Sequence, residues 1–143
     1  MNAENTEQLI ERFPELFKPD PKLRRNLMAF GFEHGDGWRS ILWRLCSDLE
    51  SMLLKLKGKK PEDYGDFQIT QIKEKYGTLR FYTNWATDEM DDRIDQAEEE
   101  SARTCEICGS PGEMRNAHGW YMIRCDECWE KQKEVSDESD LGV

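Results

Sequence analysis

The sequence predicts an α+β fold in which N-terminal helices pack on a β-hairpin or small antiparallel sheet and a compact cysteine-rich module follows. Three observations carry this prediction: a long amphipathic helical pattern, two β-rich segments around a glycine, and two Cys-x-x-Cys pairs. We expect an N-terminal domain over 1–86, an acidic connecting helix over 87–103, the cysteine-rich module over 104–135 and a disordered tail over 136–143.

The N-terminal domain is predicted to contain three helices. Residues 6–13 place apolar side chains on one helical face before Pro14, which cannot continue a helix. Residues 21–30 follow Asp20-Pro21, a capping residue and a proline suited to the first helical position. The strongest pattern covers 38–57 and should form the centre of the core. Its apolar stripe comprises Trp38, Ile41, Leu42, Leu45, Leu49, Met52, Leu53 and Leu56.

The middle of the chain predicts an antiparallel hairpin. Residues 67–74 and 78–83 are rich in β-branched and aromatic side chains, and Gly77 between them tolerates positive φ. Ile69 and Ile72 occupy positions of opposite parity, so a regular strand would send them to opposite faces. We therefore expect either a β-bulge in the first strand or a sheet covered partly on both sides. A lone hairpin is unstable, so the long helix must lie across it.

The two cysteine pairs, Cys105 with Cys108 and Cys125 with Cys128, are separated by sixteen residues. This spacing is typical of structural zinc sites, in which four thiolates surround the ion tetrahedrally and leave no position for water or substrate. We expect one structural Zn²⁺ at these residues. The alternative is a pair of disulfides or four buried thiols, but Cys46 would then be left over and the first residues carry no secretory signal.

The segments between the cysteines suggest how the module is built. Residues 112–115 and 119–123 can form two short strands, and the run that begins at Cys125 is typical of a helix. A turn, a hairpin and a helix in this order predict a treble-clef module, and a ribbon of two cysteine turns is the alternative. His118 lies between the pairs and could replace one thiol, although four cysteines already complete the shell.

Charge is distributed unevenly along the chain. Residues 1–86 contain 14 Lys and Arg against 13 Asp and Glu, whereas 87–143 contain 6 against 17. The C-terminal part should therefore repel a phosphate backbone and favour a basic protein partner. The alternative is that the acidic helix is a solvated surface. The candidate partner-binding residues are Asp91, Asp92, Asp95, Glu98 and Glu99.

No pattern in the sequence predicts catalysis. Cys46 beside the long apolar stripe is expected to be a small packed hydrophobe, because no activating partner is near it in sequence. The run Cys128-Trp-Glu-Lys resembles the end of HNH nucleases, but those enzymes need a catalytic histidine pattern that His118 and His34 do not supply. No apolar run approaches the roughly 20 residues that span a bilayer. We expect a non-enzymatic protein in the cytoplasm, without membrane association.

Several segments together resemble a group of small bacterial and phage proteins of uncharacterised activity. They are residues 71–82, Glu100-Ser101, Cys105-Glu-Ile-Cys108-Gly109, Gly119-Trp120 and the second cysteine pair. The cysteine module is also similar to the finger of the DksA/TraR transcription regulators, and Asp92-Arg-Ile-Asp95-Gln-Ala97 matches their Asp-x-x-Asp-x-Ala tip motif. Asp92 precedes Cys105 by thirteen positions, which is too short for the coiled coil that carries the tip in that family.

These observations favour a zinc-containing acidic binding protein, encoded by a phage or prophage, that engages a host protein. Inhibition of a defence or nucleic-acid-handling complex would suit a negative surface that occupies a basic groove. The partner is expected to be a protein with a basic surface and not nucleic acid. The alternative is a DksA/TraR-like regulator or a zinc-dependent nucleic-acid binder. Its candidate residues are Arg115, His118, Trp120, Tyr121 and Arg124.

Overall fold

A computed structural model describes residues 1–17, 32–57 and 67–141 and has the α+β architecture that the sequence predicts. The predicted helix over 21–30 lies outside the described residues. The helices are α1 (Ala3–Arg12), α2 (Arg39–Lys57), α3 (Asp88–Ser101) and α4 (Asp126–Leu141), with a short 3-10 helix (Asp36–Trp38) before α2. The strands are β1 (Phe32–Glu33), β2 (Ile69–Lys75), β3 (Thr78–Thr83), β4 (Glu113–Ala117) and β5 (Trp120–Arg124).

Helix α1 begins earlier than its apolar pattern suggests because Asn2 caps it. The Asn2 side chain accepts a hydrogen bond from the Asn5 N–H at 2.8 Å, which satisfies one of the free donors of the first turn. The helix ends at Arg12, ahead of Pro14, as predicted. Leu9 lies fully buried and so anchors the helix to the core.

Helix α2 is the centre of the core, which confirms the prediction from its apolar stripe. Met52 is partly buried and Leu56 is 54% exposed, so the core covers the stripe as far as Leu53. Leu79 and Phe81 of the hairpin belong to the same core cluster. The other stripe residues are buried, namely Trp38, Ile41, Leu42, Leu45, Leu49 and Leu53.

Strands β1, β2 and β3 form one sheet in that order, and β4 and β5 form a second. The β2–β3 hairpin turns through Tyr76 and Gly77, both at positive φ, as a tight hairpin requires. The register shifts between Ile69 and Gln71, and this bulge lets both Ile69 and Ile72 be buried. Of the two arrangements that the sequence left open, the structure shows the bulge. Strand β1 pairs parallel with β2 and was not predicted, because two residues carry no periodic signal.

Helix α3 packs against both α2 and strand β3. The Thr87 hydroxyl accepts the Met90 N–H at 3.1 Å and begins the helix where the sequence predicted. On the flank that faces α2, Arg44 forms an ion pair with Glu100, and Arg93 pairs with Asp48 at 2.6 Å. The buried stripe of α3 is Met90, Ile94, Ala97 and Ser101.

Helix α4 differs in length from the sequence-based expectation. Residues 136–143 were expected to form a disordered tail, yet the helix continues to Leu141. The segment 126–141 contains neither glycine nor proline, so nothing local interrupts the helix before Gly142. Among the described residues, no helix combines the length and the apolar character that crossing a membrane requires.

Candidate metal centre and acidic surface

The four predicted metal ligands come together in one cluster. The Sγ atoms of Cys105, Cys108, Cys125 and Cys128 all lie within 4.8 Å of one another, and those of Cys108 and Cys125 are 3.6 Å apart. Sulfur ligands about 2.3 Å from a tetrahedral zinc ion would lie about 3.8 Å from one another. The cluster therefore has the dimensions and the donor chemistry to hold one metal ion such as zinc. His118 is not part of it.

The first cysteine pair is shaped by a turn that directly follows α3. The Gly109 N–H donates to the Cys105 carbonyl at 2.9 Å, and the Cys105 N–H donates to the Ser110 carbonyl at 2.8 Å. Gly109 adopts φ of 83°, a conformation that glycine tolerates without a steric cost. These bonds turn the chain so that both thiols of the pair face the same point.

The second cysteine pair lies at the start of α4. The Cys125 Sγ accepts a hydrogen bond from the Cys128 N–H at 3.4 Å, which is the role of a helix N-cap side chain. The Trp129 N–H donates to the Cys125 carbonyl at 2.9 Å and closes the first helical turn. The positive end of the helix dipole therefore lies beside the second cysteine pair.

The thiols of the cluster are not equivalent. Hydrogen bonds from the Ser110 hydroxyl and N–H lower the pKa of Cys108 to about 6. Desolvation and the neighbouring thiols raise the pKa of Cys128 to about 12. One thiolate is thus stabilised by its neighbours, and a divalent cation would supply the positive charge that lets all four ionise together.

The metal-binding turn is joined to the N-terminal part of the protein through Glu106. Its side chain accepts the Gly35 N–H at 2.9 Å, and its carbonyl accepts the Gly37 N–H at 2.7 Å. The other oxygen of its carboxylate pairs with Arg124 at 3.4 Å, and both side chains are nearly buried. Glu106 occupies a variable position inside Cys-x-x-Cys, so the spacing of the motif gave no sign of this role. We refer to these contacts as the Glu106 junction.

The two glycines of the loop before α2 are required because the structure leaves no room for a side chain at either position. A Cβ atom on Gly37 would lie 2.0 Å from the Cys105 carbonyl oxygen, and one on Gly35 would lie 2.4 Å from that of Glu106. The missing side chains let two backbone segments touch, and Trp38 Nε1–H donates to the Thr104 carbonyl at 2.9 Å beside them.

Cys46 is a buried core residue, as expected. It is fully inaccessible to solvent, and burial raises the pKa of its thiol. It therefore remains protonated at neutral pH and is a poor nucleophile.

The five candidate partner-binding residues do not form one uniform surface. Asp91, Asp95 and Glu98 line a groove of about 560 Å³ between α3 and β3, whereas Asp92 and Glu99 are exposed and are not among its lining residues. Glu98 is half-buried and accepts the Phe81 N–H at 3.0 Å. Desolvation raises the pKa of this carboxyl group. Glu98 therefore has a structural role that the charge pattern did not reveal.

The basic residues proposed for nucleic-acid binding are engaged within the module. Arg115 pairs with Asp126 at 2.6 Å and stacks over Trp129, and Arg124 pairs with Glu106. Trp120 is 77% exposed, and Tyr121 and His118 are also exposed. The hairpin thus offers aromatic side chains to solvent, while its arginines are held by acidic neighbours.

Comparisons with protein-family models, with curated proteins and with solved structures found no match to this chain.

Proposed function

We propose that this protein is a non-enzymatic zinc-containing binding protein that presents an acidic surface to a basic partner protein. The observation that carries the proposal is the closed cluster of four thiols at the end of an acidic helix. Four thiolates complete the coordination shell of zinc, so the metal would stabilise the fold and would perform no chemistry. The partner-binding role is then left to the surface that the module holds in place.

The order of elements around the thiols supports a treble-clef module. A cysteine turn is followed by the β4–β5 hairpin and by α4, whose first turn contributes Cys128. In a ribbon, the second pair would lie in another turn and not on a helix. The cytoplasm suits such a site because thiols stay reduced there.

The rigidity and the charge of the acidic surface support its proposed role in partner binding. The short link from Ser101 to Cys105, in which the Thr104 N–H donates to the Ser101 carbonyl at 3.3 Å, holds α3 close to the thiol cluster. A fixed negative surface speeds encounter with a basic groove and sets the orientation of the complex. A phage-encoded inhibitor of a host defence or nucleic-acid-handling complex is the setting that we favour, on the resemblance described above.

A nucleic-acid binder is the second candidate, because Trp120 and Tyr121 are exposed and aromatic side chains can stack on bases. Titration of the purified protein against DNA and RNA at low salt distinguishes the two. Binding that weakens steeply as salt is added would contradict the acidic-surface proposal.

The proposal is tested by charge reversal. A partner is isolated by pull-down with mass spectrometry, and association rates are measured for the triple variant Asp91→Lys, Asp92→Lys, Asp95→Lys. We expect association to slow by about an order of magnitude at low salt and by less at high salt. The matched control reverses three exposed acidic residues of α1, namely Glu4, Glu7 and Glu11. Equal rates for the acidic-helix variant and the control would contradict the proposal.

A further inference from the structure

We infer that the groove between β3 and α3 is the part of the acidic surface that receives the partner, and that its occupant is a protein segment presenting an arginine side chain. This inference rests on the proposed function and locates its binding site. We call this site the tyrosine groove. Its lining residues include Tyr76, Tyr82, Arg80, Asp91, Asp95 and Glu98.

The groove exists because α3 covers the edge of the sheet with polar side chains. Among the described strands, β3 lies at one edge of its sheet, and its outward N–H groups at Leu79 and Phe81 donate to Ser101 Oγ at 2.9 Å and to Glu98 at 3.0 Å. These bonds occupy the donors that an added strand would use. A partner must therefore be recognised here by side chains and not by extension of the sheet.

The aromatic side chains of the groove already attract cations. Tyr76 is 70% exposed and Tyr82 is 39% exposed. The ammonium group of Lys75 lies 5.6 Å from the Tyr76 ring centroid, and that of Lys73 lies 5.9 Å from the Tyr82 ring. A guanidinium group is planar and more weakly hydrated than an ammonium group, so an incoming arginine can stack on these rings in place of lysine.

Two acidic residues of the groove, Asp91 and Asp95, differ from Glu98, whose carboxylate accepts the Phe81 N–H. On the other flank of α3, Glu100 and Arg93 are paired with residues of α2. Among the described residues, Asp91 and Asp95 take part in no ion pair. Two exposed carboxylates one helical turn apart, beside an aromatic ring, are suited to a bidentate guanidinium.

The groove also contains positive charge, and the topology shows at which end of the groove this charge lies. Leu79 bonds to Ser101 and Phe81 to Glu98, so β3 and α3 run antiparallel. Lys75 and Arg80 therefore lie toward the hairpin end, and Asp91 lies toward the opposite end. The arginine of the partner is thus assigned to the Asp91 and Asp95 end.

The probe is a short acetylated peptide of alternating arginine and serine, with citrulline in place of arginine as its control. It is titrated into the zinc-loaded, isotope-labelled protein and followed by NMR. We expect shifts concentrated at 81–83, at the Tyr82 ring and at Asp91 and Asp95. The citrulline peptide, which has the shape of arginine without its charge, is expected to leave these signals unchanged.

Two double variants with the same change in charge separate the groove from the rest of the acidic helix. Asp91→Lys with Asp95→Lys is expected to weaken arginine-peptide binding about tenfold, and Asp92→Lys with Glu99→Lys less than about threefold. Equal weakening by both, with shifts spread along α3, would overturn the groove while leaving the proposed acidic surface intact. Absence of binding to the unmodified protein at low salt would overturn both.

Discussion

Glu106 accepts a hydrogen bond from the Gly35 N–H at 2.9 Å, and this contact joins the first metal-binding turn to the loop before α2 across 71 positions of sequence. The backbone carbonyl of Glu106 also accepts the Gly37 N–H, and its second carboxylate oxygen accepts a hydrogen bond from Arg124. Ile123 of the cysteine module belongs to the main hydrophobic core. Disturbance of the thiol cluster is therefore expected to reach the N-terminal part of the protein.

The first prediction concerns metal content. We expect one zinc ion per chain by elemental analysis, and loss of it in Cys125→Ser. Metal binding by small modules contributes roughly 10 kcal/mol or more to folding at neutral pH, so the variant should lose the structure of 104–134. Cys46→Ala is the control, because Cys46 lies in the core and outside the cluster. Purified protein that is folded but contains no zinc would contradict the prediction.

The second prediction concerns the Glu106 junction. Gly37→Ala would place a Cβ atom 2.0 Å from the Cys105 carbonyl, so the two backbones must separate. Steric insertion of this kind costs typically about 1–3 kcal/mol and occasionally more, and urea unfolding measures it. We expect zinc to be released faster to a chelator as well. Gly119→Ala is the comparison, because no atom of the described residues beyond its chain neighbours lies within 4 Å of the Cβ position. Strain from its φ of 90° is the expected effect there.

The third prediction concerns the core. Leu45 and Leu49 are fully buried in α2, and replacing either with alanine leaves a cavity. We expect a loss of about 2–5 kcal/mol in the free energy of unfolding. Leu56→Ala is the matched control on the same helix, because Leu56 is more than half exposed. A wild-type melting temperature for Leu45→Ala would show that this stripe does not face the core.

The fourth prediction concerns pH. Burial lowers the pKa of His34 from its ordinary value of 6.5 to about 4, and its Nε2 atom is buried without a hydrogen-bond partner among the described residues. Between these values the unfolded chain binds a proton that the folded protein does not. The contribution of His34 to stability is therefore fully present above pH 6.5 and is lost as the pH decreases toward 4, by roughly 3 kcal/mol in total.

His34→Phe tests this pH dependence. The variant keeps an aromatic ring between Phe32 and Trp38 but cannot be protonated. The free energy of unfolding is measured with urea between pH 5 and pH 7 for both proteins and plotted against pH. The difference between the slopes of the two plots gives the contribution of His34. Identical slopes would contradict the prediction, since the thiol cluster and its protonation are common to both.

Sequence determined the features that depend on residues close together in the chain. The Thr87 cap and the positive φ of Gly77 follow from local chemistry. The spacing of the cysteines predicted the thiol cluster, because each pair is fixed by its own turn. The period of α2 predicted most of its buried residues, because a helix presents one face to the core.

Tertiary structure decided what depends on how these elements meet. Periodicity identifies a face but not its neighbour, so it could not separate Asp91 and Asp95, which line the groove, from Asp92 and Glu99. The same limit hid the role of Gly37, whose missing side chain makes room for Cys105. Close contact between backbones far apart in sequence leaves no repeating pattern. Such a contact can be identified only in the folded structure, where the packing of the elements sets the distance between the two backbones.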